Sequence, residues 1–450
     1  MKPKKGVQIF MFFIFMIASL IVFSAAIAAV GDTTRVSVDS DGNEGNGHSY
    51  GPSISMNGRF VAFYSEAANL VAEDENNNTD IFVHDRDTGE TTLVSLDSDG
   101  AQANGSSELP SISGNGRYVA FTSYASNLVA GDNPGVRDVF IHDRVTGDTL
   151  LVSAALPGQE AGGDSFDAAF SADGRYVAFS SDAHNLVEND IAYTDVFVYE
   201  LLTGQISRVS VDPDGMQAYG YSFDPSISAD GRYVAFVSNA SNLVAGGTNG
   251  KYHVFVHDRD TGQNTLVSVD SDGVQGNDYC YVPAISADGR YVAFHSDSTN
   301  LVADDTNVNT DVFVHDIDTG VTSRVSVASD GTQGNGGSYH PSISGDGRYV
   351  AYHSISDNLV PEEGYNVYDI FLFDRSTGKT SRLSVSSDGI EGYANSFSAV
   401  ISSDGGYVAF HSDASNLVEN DNNGFLDVYV HELSTPTVNY VYLPLIITSE

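Results

Sequence analysis

Short apolar runs separated by polar loops and Gly-containing turns recur along this chain, a pattern that predicts strands, and nothing in the repeated units has helical periodicity. Residues 222–279 hold one complete unit. Pro225-Ser226-Ile227-Ser228 reads as a short strand. Asp230-Gly231 then reads as a two-residue hairpin turn, because a type I′ turn needs positive φ and Asp-Gly supplies it. Tyr233 to Ser238 is a strand with apolar side chains on both faces. Asn239 to Tyr252 is a long polar loop carrying Asn242-Leu243-Val244. His253 to Asp258 is a third strand, Asp260-Thr261-Gly262 a second tight turn, and Thr265 to Val269 a fourth strand. Asp270 to Tyr281 leads into the next unit.

The unit recurs seven times. Its marker is the phrase that runs Asn57-Gly58-Arg59-Phe60, Asn115-Gly116-Arg117-Tyr118, Asp173-Gly174-Arg175-Tyr176 and Asp230-Gly231-Arg232-Tyr233. It continues as Asp288-Gly289-Arg290-Tyr291, Asp346-Gly347-Arg348-Tyr349 and Asp404-Gly405-Gly406-Tyr407. Successive glycines lie 58, 58, 57, 58, 58 and 58 residues apart. A fixed period of this size marks a solenoid, a propeller or an array. Four short antiparallel strands with two apolar faces cannot stand alone, so neighbouring sheets must cover both faces, as blades do. The expected fold is all-β: a seven-bladed β-propeller of four-stranded antiparallel blades. Thr33-Thr34-Arg35-Val36-Ser37-Val38 matches a fourth strand. The seventh unit has Thr435-Pro436 where six units have Thr-Gly, and proline cannot supply the glycine's positive φ. The N-terminal segment is therefore expected to complete the last blade and close the ring. The apolar tail Val438 to Ile447 competes for that place.

The phrase Ser-Ala-Asp-Gly-Arg-Tyr-Val-Ala-Phe followed by Val-Phe-Val-His-Asp-Arg-Asp-Thr-Gly resembles the WD40-like repeat of TolB-type β-propellers, over roughly residues 32–435. The resemblance implies an extracytoplasmic propeller that binds proteins or other ligands. TolB itself resembles a six-bladed propeller with an additional α/β domain; no such domain is present here, so TolB's partners do not carry over.

Composition narrows the partners. Sixty acidic against twenty basic residues give a formal charge of −40, which repels nucleic acid phosphates and anionic lipid heads. Nucleic acid is thereby excluded as a partner. Residues 1–28 read as a secretory signal: basic Lys2, Lys4 and Lys5, an apolar run from Val7 to Phe23, and Ala26-Ile27-Ala28 as a cleavage site. The apolar run also has the length of a membrane anchor, so membrane contact is expected only if it is retained. Either way the propeller, residues 32–435, lies outside the cytoplasm, with a C-terminal tail at 436–450. The single cysteine, Cys280, falls where Ser49, Ser107, Ser165, Ser222, Ser338 and Ser396 fall, which makes it a fold position and not a reactive thiol.

Candidate sites follow from where columns of the repeat vary. Ligands generally use the loop-rich face of a rigid scaffold. Two columns flank the Ser/Cys position and its aromatic neighbour, and both differ from unit to unit. The first contains His48, Asp164, Tyr221, Tyr279 and Asn395; the second contains Asp167, Asp224 and His340. Tyr and Asp around a channel mouth suit a sugar or a cationic ligand. A calcium site is expected from alternate oxygen ligands: Asp74, Asn76, Asn78 and Asp80 in the first unit, and Asp305, Asn307, Asn309 and Asp311 in the fifth. The same Asn/Asp runs also form side-chain-capped turns without metal.

Several apparent motifs fail. Gly47-His48-Ser49-Tyr50-Gly51 matches a nucleophile elbow, which needs a strand-to-helix turn, whereas Ser49 enters a strand. His84, His142, His257, His315 and His431 share a column on the third strand, in different blades and away from the axis, and are expected to be packed and hydrogen-bonded. The leading reading is a secreted or surface-attached, non-enzymatic propeller that binds a protein or glycan. The alternatives are an extracellular hydrolase or lyase with carboxylates at the channel mouth, and a structural module of a surface assembly.

Overall fold

The computed structural model describes residues 31–433, apart from Glu73, residues 157–161, Ala192 and residues 362–364. The signal segment, the Thr435-Pro436 break and the apolar tail lie outside the described residues. Seven four-stranded antiparallel sheets form, one per unit. We number the blades in chain order by their innermost strands: Ser49–Ile54, Ser107–Ile112, Ser165–Phe170, Ser222–Ile227, Cys280–Ile285, Ser338–Ile343 and Ser396–Ile401.

The ring is closed by the N-terminus. Thr33–Arg35 pairs antiparallel with Asp427–Glu432 as the outermost strand of blade seven, with Thr34 opposite Val430. Val36 extends the contact by donating its N–H to the Val428 carbonyl at 2.8 Å.

Each blade is sealed by its neighbours. One buried cluster joins Ala62, Ile81 and Val83 of blade one to Val119, Phe121 and Phe140 of blade two, and comparable clusters run around the ring. A stacked aromatic pair sits inside every blade, from Phe63–Phe82 at 5.9 Å to Phe410–Tyr429 at 5.8 Å. Fully burying each such ring contributes about 2 kcal/mol, so the seven pairs form a large share of the core.

Three details depart from the expected unit. The innermost strand starts earlier, at Ser222 instead of Pro225, and the fourth strand runs Gln263–Leu266. The Asp-Gly hairpin is not a type I′ turn: Gly231 has φ +75° while Asp230 is not left-handed. Gly231 N–H bonds Ser228 O and Ser228 N–H bonds Tyr233 O, so the loop is four residues long and only its glycine needs positive φ.

At the hairpin end, backbone bonds link all seven blades in a closed circle. Met56 N–H bonds Gly114 O, Gly114 N–H bonds Ala172 O and Asp173 N–H bonds Ala229 O. Ala229, Ala287 and Gly345 donate onward to Ala287, Gly345 and Ser403, and Asp404 N–H returns to Met56 O. The bonds are 2.9–3.1 Å long. This circle requires small residues: a Cβ on Gly114 would lie 2.5 Å from the Ala172 oxygen. It forms the floor of the central channel. Above it a cavity of about 230 Å³ is lined by Ile54, Ile112, Phe170, Ile227, Ile285, Ile343 and Ile401.

Candidate functional site

The mouth of the channel is shaped by a bulge repeated in every blade. Between the second and fifth residues of each innermost strand the pairing register slips, as between Tyr50 and Ser53 or Phe223 and Ser226. The residue that causes the slip is left-handed in all seven blades: Gly51, Leu109, Asp167, Asp224, Val282, His340 and Ser398, with φ between 49° and 55°. Only glycine adopts this region without cost, and a β-branched residue such as Val282 is a true outlier. These residues are the second variable column. The sequence placed that column ahead of the strand; it lies within it. Six side chains of five kinds at one strained position form a ring around the mouth, where Leu109 and His340 are exposed.

Two arcs of different chemistry result. The acidic arc spans blades two to four. The Asp167 and Asp224 carboxyls, from adjacent blades, meet in a hydrogen bond. Burial raises both above the usual carboxylate range, and for Asp224 the charge of Asp167 adds to the rise. Two carboxylates in contact cannot both ionise cheaply, so the pair keeps a shared proton up to about pH 7. Arg137 lies beside Asp167 and packs its guanidinium 4.6 Å from the Phe166 ring centroid. The Asp164 Oδ1 accepts the Arg137 backbone N–H at 3.1 Å.

The second arc is aromatic and runs through blades four to seven into blade one. Phe223 meets Tyr252 at 5.1 Å, Tyr252 meets Tyr279 at 6.1 Å, and Tyr279 stacks on Tyr281 at 5.9 Å with an interplanar angle of 16°. The Lys251 ammonium sits 4.2 Å from the Tyr279 ring centroid. Tyr221 packs edge-on to Tyr193 and is 47% exposed. The chain of rings continues through Tyr281–His295, His295–His340 and His340–His353, then Phe397–His411 and His411–Tyr50.

Sequence reasoning missed His295, His353 and His411. They occupy the fifth residue of the second strand, where other blades have Tyr64, Thr122, Ser180 and Val237. Burial holds all three far below the ordinary imidazole value: His295 and His353 at about 3, His411 at about 4. They are neutral at physiological pH. The column points at the bulge of the next blade: His340 N–H reaches His295 Nδ1 and Gly51 N–H reaches His411 Nδ1, each at 3.4 Å. The available signal was a column that changes polarity inside an otherwise repeated strand.

Part of the first variable column joins blades. His48 Nδ1 accepts the Leu426 N–H at 2.9 Å, and Asn395 Oδ1 accepts the Tyr368 N–H at 3.1 Å, each across a blade boundary. Asp164 does the same for Arg137. Of that column, Tyr221 and Tyr279 present ring surface at the mouth.

The two calcium candidates lie elsewhere, in the loops between second and third strands. In blade one Gln102 Nε2 donates to Asp74 Oδ1 and to Asp80 Oδ2, Ser95 donates to Asp80 Oδ1, and Asn76 Oδ1 caps the Asn78 N–H. In blade five Gln333 and Arg324 lie between Asp305 and Asp311, Asn307 Oδ1 caps Asn309, and the Asn309 side chain donates to the Asn335 carbonyl. Arg324 stands 3.3 and 3.4 Å from the two carboxylates, and Arg35 and Arg208 hold equivalent places in blades seven and three. Blade one has Leu93 there, and burial first raises Asp80 to about 6. Among the described residues no group of three or more His, Cys, Asp or Glu side chains is arranged to hold a metal ion.

The remaining expectations concern packing. His84, His142, His315 and His431 pair through Nδ1 with Thr91, Thr149, Thr322 and Thr33 at 2.8–2.9 Å, and His257 pairs with Asn264. Cys280 is buried, lies 3.1 Å from Ser296 Oγ, and is pushed up to about 11 by burial.

No family model and no curated protein matches the chain. Solved structures do. An oligogalacturonate lyase in complex with manganese aligns with TM-score 0.54 at 12% identity, covering 90% of this chain and 94% of that one. The β-propeller domain of the Trilobed protease from Pyrococcus furiosus, which has an open velcro topology, aligns with TM-score 0.51 at 12% identity over 88% and 98%. TolB from Acinetobacter baumannii aligns with TM-score 0.41 at 16% identity over 72% and 66%. The likenesses to the lyase and to the Trilobed protease domain show the propeller fold. They bear on neither substrate nor partner.

Proposed function

We propose that this protein is an extracytoplasmic, non-enzymatic propeller that binds a glycan at its channel mouth. The observation that supports this reading is the ladder Phe223–Tyr252–Tyr279–Tyr281 with exposed Tyr221 beside it. Tyrosine rings offer an apolar face to the C–H face of a sugar and a hydroxyl to its polar edge. The floor of backbone bonds leaves the loop face as the entry, and the −40 charge disfavours anionic ligands. The apolar N-terminal run, with its basic start, supports placement outside the cytoplasm.

The test is a glycan array probed with the protein and with Tyr252→Ala and Tyr279→Ala. Binding to a defined glycan set that both variants lose supports the reading. Binding by both variants at parental strength contradicts it.

Hydrolysis or lysis is the second reading, favoured by the meeting of Asp167 and Asp224. Paired-acid glycoside cleavage, however, uses carboxyls roughly 5 to 9.5 Å apart, with the scissile bond or a water between them. Two carboxyls already bonded to each other fit a recognition site better. An assay for newly formed sugar ends, lost in Asp167→Asn, would reverse that preference.

A further inference from the structure

The acidic pair is flanked by groups that lack partners. Thr122 Oγ1 and Ser180 Oγ are buried, 2% and 0% exposed by residue, and neither makes a hydrogen bond within the protein. Both belong to the second-strand column that faces the bulge of the next blade, as His295 faces His340 and His411 faces Gly51. By that register Thr122 faces the bulge of Asp167 and Ser180 that of Asp224. Ser180 also adjoins Asp167. A buried hydroxyl without a partner costs on the order of 1–3 kcal/mol, and it persists where a ligand or water supplies the missing bond.

We propose that Asp167 and Asp224, with the Ser180 hydroxyl, form a subsite for a primary ammonium group, so that the glycan bound at this mouth carries a free amine. This rests on the glycan reading above. An ammonium has three donors. The two carboxylates and the hydroxyl are three acceptors, arranged at the half-buried wall beside Phe223, the first ring of the ladder. A sugar stacked on Tyr252 thus lies next to the pair.

The charges balance. In the free protein the pair holds one proton and a single negative charge, which Arg137 offsets; Asp164 is engaged with the Arg137 backbone. When the ammonium enters, the shared proton leaves to solvent, both carboxylates are ionised, and the net charge of the site is unchanged. Binding therefore releases a proton and tightens as pH rises, until the amine itself deprotonates.

The test is calorimetric titration with a glucosamine hexamer and an N-acetylglucosamine hexamer, using the parent, Asp224→Asn, Asp167→Asn and, as a control for general attraction to an acidic protein, the exposed Asp99→Asn. The free-amine oligomer is expected to bind about tenfold tighter than the acetylated one. Both pair variants should abolish that preference while leaving the melting temperature as it was, and Asp99→Asn should retain it. Equal affinity for the two oligomers overturns the ammonium subsite and leaves the glycan reading standing. An equal loss in Asp99→Asn and Asp224→Asn also overturns it. If neither sugar binds but a lysine-bearing peptide does so through Asp224, the choice of a sugar amine is wrong. If nothing binds, the glycan reading falls as well.

Discussion

Thr33 Oγ1 lies 2.8 Å from His431 Nδ1, although 398 residues separate them. Thr33 also donates to the Val385 carbonyl, so a single side chain ties the N-terminal strand to the third strand of blade seven and to the loop leaving blade six. Thr91, Thr149 and Thr322 make the same two contacts within continuous units. The N-terminal strand therefore completes blade seven in the same register as a native fourth strand. Val36, 1% exposed, packs in the cluster that joins blades seven and one. Val36→Asp should lower stability by about 3 kcal/mol or more, because it buries an unpaired charge at the closure. Thermal melts would show a marked drop. An unchanged melt would mean that the ring closes by another segment.

The bulge residues bear strain that glycine would relieve. Val282 has φ 49° and its side chain is half-buried. Val282→Gly should raise stability by about 1 kcal/mol, less what the lost apolar contact contributes. Gly51→Val should do the opposite at the same position, since a Cβ there would meet the Tyr64 ring at 2.5 Å. Denaturant midpoints of the two variants should move in opposite directions.

The buried histidines set an acid limit. His295 and His353 titrate at about 3 in the folded protein, against about 6.5 in an unfolded chain. Below pH 6.5 the unfolded state binds protons that the folded state refuses, so this stability is complete above pH 6.5 and is lost as pH falls toward 3. His353 Nδ1 has no hydrogen-bond partner. His353→Phe should therefore be tolerated at pH 7 and show a shallower fall in melting temperature between pH 6.5 and pH 4. An identical pH profile would show that this imidazole is charged or exposed in solution.

Leu93→Arg should import the arrangement of blade five. The new guanidinium would stand beside Asp74 and Asp80, as Arg324 stands beside Asp305 and Asp311. Asp80 titrates at about 6, so at pH 8 it is a buried charge that Gln102 and Ser95 hydrogen-bond but do not neutralise, while at pH 4 it is largely protonated when folded. The gain in melting temperature should thus appear at pH 8 and shrink toward pH 4. If blade one holds calcium, millimolar calcium raises the parent's melting temperature and the arginine abolishes that rise.

The blades were legible because the features that make them are repeated: the glycine of each hairpin, the apolar second strand and the third-strand histidines recur at a fixed period. Closure by residues 33–38 was legible for the same reason, as a fourth strand without its own unit. The mouth was only half legible. Its variable columns stood out, but nothing about Leu109, Val282 or Asp167 announces a left-handed residue, since the bulge is imposed by the neighbouring blades and not by local preference. The contact between Asp167 and Asp224 depends on that bulge. The roles of His48 and Asn395 as cross-blade acceptors depend on loops that the repeat pattern does not position.

The most direct test of a glycan site at the mouth is a crystal structure of the protein soaked with a glycan selected on the array. The account predicts sugar density over Tyr252 and Tyr279, with its nearest polar contact at Asp167 or Asp224. Sugar bound on the outer strands or on the hairpin face, with the mouth holding only water, would contradict it.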